Sequence, residues 1–337
     1  MPSPGEPGAA AAAADTPAGR AGDADSRGSR GSRGSGGPRG SASGVLVVVG
    51  DLLEDIVVWA SEPIRAATDT AAQVFRSRGG SAANVAALAA PRTPTRFLGC
   101  VGSDGAGDAL EATLAAAGVD VRLQRRGRTG AVVLLVDPAG ERTMFPDRAA
   151  AAQLEHVDPA WLDGIAWLHV PSYGFEREPL RSEVGRLVTA ARERGARVSI
   201  DASSTGLLEG LGVERVLAWY AELRPDVLFA NESEAALLGL SHGGAVAASV
   251  ARTVVVKHGP GPTEVFEAGE PVLRVAVAPV TGIRDLTGAG DAFAAGFLAA
   301  TLQGADAAAA CLAGHATAAS VLTNPGASTG PSSIAPA

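Results

Sequence analysis

A doubly wound, three-layer α/β/α fold is expected from three features of the sequence. From Gly44 onward, short β-branched runs alternate with Ala- and Leu-rich stretches of helical length, the pattern of a mainly parallel sheet covered on both faces. The first run, Val45 to Val49, is apolar at every position and stops at Gly50, as a strand buried on both sides does. Near the other end, Asp285-Leu286-Thr287-Gly288-Ala289-Gly290-Asp291 leads straight into the apolar segment Ala292 to Leu302, which reads as a small-residue turn opening a helix.

Taken in order, Ser81 to Ala90 is a helix, Thr95 to Val101 a strand, and Ala106 to Ala117 a helix ended by Gly118. Trp167 to Val170, Val198 to Asp201, Val227 to Ala230 and Thr253 to Lys257 are further strands. Helices fall between them, around Pro179 to Arg194, at Val213 to Leu223, at Glu232 to Leu238 and at Ala245 to Val250. Two places break the alternation. Ile56 to Trp59 with Gln73 to Arg76, and Thr129 to Val136 with Arg142 to Phe145, are β-like with no helix between partners, and Asp137 to Gly140 is a turn. These segments, around 55–77 and 128–148, are expected to form a small sheet over a cleft; two edge hairpins of the main sheet are the plainer reading.

Composition narrows the function classes. Residues 1–43 are almost wholly Ala, Gly, Pro, Ser, Asp and Arg, too poor in apolar side chains to offset the entropy of ordering, so a disordered tail is expected before a single folded domain at 44–337. Its arginines come without aromatic residues for stacking on bases, and the net charge of −8 argues against bulk attraction to nucleic acid or to anionic membrane. With neither the apolar core of a signal peptide nor an unbroken membrane-length apolar run, a cytoplasmic location is expected. Cys100 and Cys311 have no metal-ligand spacing and read as small core residues.

The chemistry starts at the Gly288-Ala289-Gly290-Asp291 turn. A helix opening aims unpaired N–H groups and the positive end of its dipole at one point, which makes an anion hole. An aspartate at its rim, Asp291, suits proton removal from an alcohol while the N–H groups hold a phosphoryl group in flight. A plain N-cap with flexible glycines is the competing reading. Asp55, beyond the carboxyl end of the first strand, suits a vicinal diol, with Asp51 and Glu54 as competitors. Gly79-Gly80 admits a ligand close to the backbone, and Asn84, one turn into the helix, can donate to and accept from hydroxyls. Asn231 and Glu234 share one face of a helix opening, where they suit a hydrated Mg²⁺ or simply the helix dipole.

In this order the motifs resemble those of the ribokinase-like carbohydrate kinases, often called the PfkB family, from about Gly44 to about Ser333. The ordered set also includes Gly99-Cys100-Val101-Gly102-Ser103-Asp104 with Gly107, and Val254 to Gly259. The resemblance implies a ribokinase-like fold with a small β-sheet lid, and ATP and Mg²⁺ as cofactors. It implies Asp291 as catalytic base, with Gly288, Ala289 and Gly290 as the anion hole. Asp55, Gly79, Gly80 and Asn84 become sugar contacts, with Glu141, Arg142 or Arg148 on the lid side. Asn231 and Glu234 become the magnesium and phosphate motif, and Lys257, Gly259, Gly261 and His315 the nucleotide side, although His315 equally suits a structural role. The loop Lys257-His258-Gly259-Pro260-Gly261-Pro262 has proline where the family often places its second glycine, and proline fixes φ and removes a donor. Asp285 and Thr287, with carbonyls near Asn324 and Gly326, resemble a potassium site whose usual completing side chain falls at Gly330. Homodimerisation through the lid, at Val57, Val58 and Trp59, is a further implication.

The acceptor stays open between a pentose, hexose or sugar acid and a nucleoside, as in pseudouridine or adenosine kinase. Trp59, Phe75, Met144 and Phe145 offer rings or sulfur for a base, while Arg76, Arg78, Arg142 and Arg148 offer a phosphate clamp. A non-catalytic sugar- or nucleotide-binding regulator is opposed by the intact Thr287 to Asp291 motif. A nicotinamide enzyme is opposed by the lack of Gly-x-Gly-x-x-Gly after the first strand.

Overall fold

The computed structural model describes residues 44–241 and 244–323; expectations for 1–43 and for Asn324, Gly326 and Gly330 lie outside them. Thirteen strands and nine α-helices run in the order β1 (Val45–Val49), β2 (Leu53–Ala60), β3 (Ala72–Gly79), α1 (Ser81–Ala89), β4 (Thr95–Val101), α2 (Gly105–Ala116), β5 (Asp120–Arg125), β6 (Ala131–Val136) and β7 (Arg142–Asp147) among the described residues. There follow β8 (Ile165–Pro171), α3 (Leu180–Glu193), β9 (Arg197–Asp201), α4 (Thr205–Leu211), α5 (Val213–Leu223), β10 (Val227–Asn231), α6 (Glu232–Leu237), α7 (Gly244–Val250), β11 (Thr253–Lys257), β12 (Thr263–Glu267), β13 (Leu273–Val275), α8 (Ala289–Leu302) and α9 (Ala307–Leu322).

The main sheet has nine strands in the order β13-β12-β11-β10-β9-β8-β1-β4-β5, parallel from β5 to β11 and closed by the antiparallel β12 and β13. Period-2 alternation explains its two covered faces. Val47 and Val49 of β1 pack with α3, α4, α5, α6 and α7, while Leu46 and Val48 pack with α1, α2, α8 and α9. The same division holds for Leu228 and Ala230 against Phe229 in β10. Each such Val, Leu or Phe side chain taken out of water contributes about 1.5–3 kcal/mol before entropy is counted.

The segments that break the alternation form a separate four-stranded sheet, β3-β2-β6-β7, rather than edge hairpins of the main one. It is antiparallel except for β2 against β6. Both faces cannot be buried: Val74, Met144 and Phe145 are exposed. From β1 the chain moves to β4 and β5 on one side and later to β8 on the other, so order reverses at β1. The carboxyl ends of the strands at such a switch point are where α/β sheets bind ligands.

Candidate active site

Helix α8 starts after Gly288, whose φ of 76° is a left-handed value that strains a residue carrying Cβ. Asp291 is its third residue. Both carboxylate oxygens are held by α1: Ser81 Oγ donates to Oδ1 at 2.6 Å and Asn84 Nδ2 donates to Oδ2 at 2.9 Å. Burial pushes the Asp291 carboxyl up to about 7; the bonds from Ser81 and Asn84 oppose the rise, Asp201 adds to it and Lys257 opposes it. In the turn, the Ala289 N–H points back to the Leu286 carbonyl at 3.3 Å, whereas the N–H groups of Gly288 and Gly290 have no acceptor among the described residues. The turn is therefore open to an anion chiefly at its two glycines.

On the side of the second sheet, Gly79 and Gly80 bring the backbone against carboxylates. A Cβ on Gly79 would lie 2.1 Å from Asp55 Oδ1, and one on Gly80, where φ is 98°, would lie 2.4 Å from the Asp51 carbonyl. Burial raises the Asp55 carboxyl to about 6, Asp51 adds to this and Arg78 opposes it. Arg78 Nη1 donates to Asn84 Oδ1 at 2.8 Å, so Asn84 links Arg78 to Asp291. The arginines suggested for the acceptor are otherwise engaged. Arg148 bonds Asp51 at 2.6 Å and also Glu176, and Arg76 bonds Glu54 at 2.9 Å. Arg142 reaches across to the anion turn, donating to Asp285 Oδ1 at 2.8 Å and Thr287 Oγ1 at 3.2 Å. Glu141 lies exposed at the β6–β7 turn, where its N–H donates to Asp137 Oδ1 at 2.9 Å.

The strands β9, β10 and β11 carry the polar groups on the other side. Lys257, the only lysine, donates to Asp201 Oδ2 at 2.9 Å, and a Cβ on Gly290 would lie 3.3 Å from its Nζ. Its ammonium thus lies beside the anion turn. Gly259 has a φ of 58°, and the Gly261 N–H donates to the His258 carbonyl at 2.9 Å, which closes a tight turn after β11. His315 Nε2 bonds Thr263 Oγ1 at 2.8 Å, its ring packs 5.4 Å from that of Phe293, and its buried Nδ1 has no partner among the described residues.

The suggested metal residues are committed elsewhere. Asn231 and Glu234 form a capping box: Glu234 takes the Asn231 N–H at one oxygen and Nδ2 at the other, both at 2.8 Å, and Asn231 Oδ1 takes the Glu234 N–H at 2.9 Å. The pair closes on itself because an N-cap amide and an N3 carboxylate satisfy each other. Glu234, 2 % exposed, is raised to about 7 by burial and by Asp201, with Lys257 opposing. Asp285 and Thr287, suggested for potassium, hold the Arg142 guanidinium, and the Thr287 N–H also donates to Asp285 Oδ1 at 2.9 Å. A guanidinium faces these oxygens in this arrangement, and the carbonyls suggested to complete the site, near Asn324 and Gly326, lie outside the described residues. Among the described residues there is no cluster of three His, Cys, Asp or Glu side chains able to hold a metal.

A sequence model of pfkB family carbohydrate kinases matches residues 45–334. The chain belongs to this family. Kinases of the pfkB family are phosphotransferases with an alcohol group as acceptor, and the relatives agree. The chain is 34% identical to an ATP-dependent ribose-1-phosphate kinase of Halopiger xanaduensis over 68% of its length and 75% of that protein's. It is 30% identical to a fructokinase of Klebsiella pneumoniae over 76% of its length and 84% of that protein's. Among solved structures, an Escherichia coli protein described as a ribokinase II, in complex with ATP and Mg²⁺, superposes with a TM-score of 0.72 at 25% identity, covering 85% of this chain and 94% of that one.

Within this pfkB kinase fold, three residues at the site escaped sequence reasoning in their present roles. Ser81 was read only as the start of a helix, and its hydroxyl proves to touch Asp291. Arg78 was one of several candidate phosphate clamps, and proves to bond Asn84. Asp201, the last residue of β9, pairs with Lys257; an acid at the carboxyl end of a buried parallel strand was the available signal.

Proposed function

We propose that this carbohydrate kinase transfers the γ-phosphoryl group of ATP directly to a hydroxyl of a small sugar, with Asp291 as general base. The observation that carries the reading is the geometry of Asp291. Its carboxylate stands in the first turn of α8, within 2.6 Å of a hydroxyl donor, beside two glycine N–H groups without acceptors among the described residues. An acceptor hydroxyl taking the place of Ser81 Oγ would give its proton to Asp291 as oxygen attacks phosphorus and the bond to ADP breaks. The Gly288 and Gly290 N–H groups and Lys257 would hold the charge in flight. A base near 7 exchanges a proton readily at neutral pH. Mg²⁺ arriving with ATP supplies charge neutralisation on the phosphates.

ATP is proposed to lie along the carboxyl ends of β9 to β11, with Lys257, Gly259, Gly261 and His315 around it. The sugar is proposed to lie against Asp55, Gly79, Gly80 and Asn84. The second sheet is proposed to act as a lid that excludes water, tied down by Arg142. Because Arg142 covers Asp285 and Thr287, turnover is expected to be equal in potassium and tetramethylammonium salts; strong activation by potassium would restore the cation site. The exposed Val74, Met144 and Phe145, with Trp59 at 40 % exposure, fit a homodimer formed through this sheet. A monomer by light scattering at micromolar concentration rejects that dimer.

The test is ADP release from Mg-ATP across pentoses, hexoses, sugar acids, sugar phosphates and nucleosides, for the wild type and Asp291→Asn. One class of acceptor is expected to stimulate turnover, and the variant to lose it by on the order of 10² to 10⁴. Wild-type turnover by Asp291→Asn would remove the base assignment.

A further inference from the structure

The Asn84 amide has two distinguishable ends, and what faces each is fixed by chemistry as well as distance. On one side stands Arg78 Nη1 at 2.8 Å, and on the other Asp291 Oδ2 at 2.9 Å. A guanidinium has donors and no acceptor, so the amide oxygen must face Arg78 and the NH₂ must face Asp291. An NH₂ group favours the ionised carboxylate, whereas an amide oxygen in its place would favour the protonated acid. Arg78 is the last residue but one of β3, directly before Gly79-Gly80, so its backbone is pinned by the close approach of Gly80 to Asp51.

We propose that Arg78 is a positioning residue for phosphoryl transfer: by fixing which end of the Asn84 amide faces Asp291, it holds the base in its proton-accepting form. The inference rests on the reading of Asp291 as base. Burial acts the other way, driving Asp291 toward the protonated form that cannot accept a proton. The charged and titratable groups around Asp291 come from every element packed on it: Arg78 from β3, with Asp55 from β2 beyond it, Tyr173 after β8, Asp201 from β9 and Lys257 from β11. Asp201 and Lys257 bond each other, so much of their effect on Asp291 cancels. Arg78 is left as the cation that acts on Asp291 both through space and through a hydrogen-bonded amide.

The test is the pH dependence of kcat and kcat/KM, with the best acceptor, for the wild type, Arg78→Lys and Arg78→Gln. Lysine is also donor-only and keeps the amide orientation. Glutamine can donate or accept, and frees the amide to turn. In Arg78→Gln the acid limb is expected to move up by about one pH unit, a loss of about tenfold on that limb that is regained at high pH. Arg78→Lys is expected to keep the wild-type limb. A loss of the same factor at every pH means a structural role and overturns the proposal. A raised acceptor KM with an unmoved limb means that Arg78 binds the acceptor, and overturns it too. If Arg78→Gln does not fold, Asn84→Ala probes the same link from its middle, and an unmoved limb there overturns the proposal. Wild-type protein that turns over no acceptor defeats the kinase reading itself, which is distinguishable because failure of the Arg78 link leaves wild-type turnover intact.

Discussion

Gly79 shows how closely a single missing methyl bears on the proposed site. An added Cβ would overlap Asp55 Oδ1 at 2.1 Å, and because the clash is with the tip of a side chain, Asp55 would turn aside rather than the backbone yield. Overpacking of this kind costs about 1–3 kcal/mol, and here it falls on the proposed sugar contact. Gly79→Ala is therefore expected to raise the acceptor KM by about tenfold or more while leaving ATP affinity, read by titration calorimetry, within about twofold. A rise in both would place Gly79 in the shared closure of the site instead. At this scale the sequence disclosed residue types but not partners. Asp55, Asn84 and Asp291 are legible because they follow strand ends and helix openings. The capping box of Asn231 and Glu234 has a local Asn-x-x-Glu signature, whereas that Arg142 spans 143 positions to reach Asp285 depends on side-chain directions that no local pattern encodes.

The second sheet is held to the main body by its own ends and by Arg142. Arg142 is 41 % exposed, so its pair with Asp285 is worth no more than about 1 kcal/mol and Arg142→Ala is expected to leave the melting temperature nearly unchanged. Its proposed effect is on closure. With the β6–β7 turn released from Asp285 and Thr287, water gains access, and acceptor-independent ATP hydrolysis is expected to rise severalfold while sugar phosphorylation falls. The ratio of ADP formed to sugar phosphate formed measures this; an unchanged ratio would leave Arg142 a surface pair. The legible elements were those with a strong physical signature: β1, β4, β8, β9, β10 and β11 have apolar interiors, and α3 and α5 present apolar residues at helical spacing. The strands missed were β5, β12 and β13. They lie at or next to the sheet edges, alternate charged with apolar residues, and in β13 span three residues, so they lack the continuous run that marks a buried strand.

For the molecule as a whole, the pKa shifts set stability and activity against each other. Burial holds Asp55 at about 6 and Glu234 and Asp291 at about 7, all above their ordinary values of 3.8, 4.5 and 3.8. Between those values and about 7 the folded state binds more protons than the unfolded chain, so stability falls as pH rises through that window. His169, pushed down to about 4 by burial, and His315, also lowered by burial, act oppositely below about 6.5, but two imidazoles oppose three carboxylates. At the acid end, Asp104, Asp147 and Glu178 are lowered chiefly by hydrogen bonds, and Asp120 is lowered by Arg96 and Arg122 despite its partial burial; their stabilisation is lost on acidification. The ligand-free protein is thus expected to melt highest near about pH 5 and several degrees lower at about pH 8, where Asp291 is ionised, the form its proposed role as base requires. Asp291→Asn removes one buried charge and retains hydrogen-bonding groups for Ser81 and Asn84, so at about pH 8 it is expected to gain about 0.5–2 kcal/mol. Calorimetric melting of both proteins between about pH 4 and about pH 9 decides the matter. A wild-type melting temperature that climbs from pH 5 to pH 8, or a variant with no gain, would mean that the site hydrates Asp291 well enough to ionise without cost, and that its proton affinity in the reaction must come from bound substrates instead.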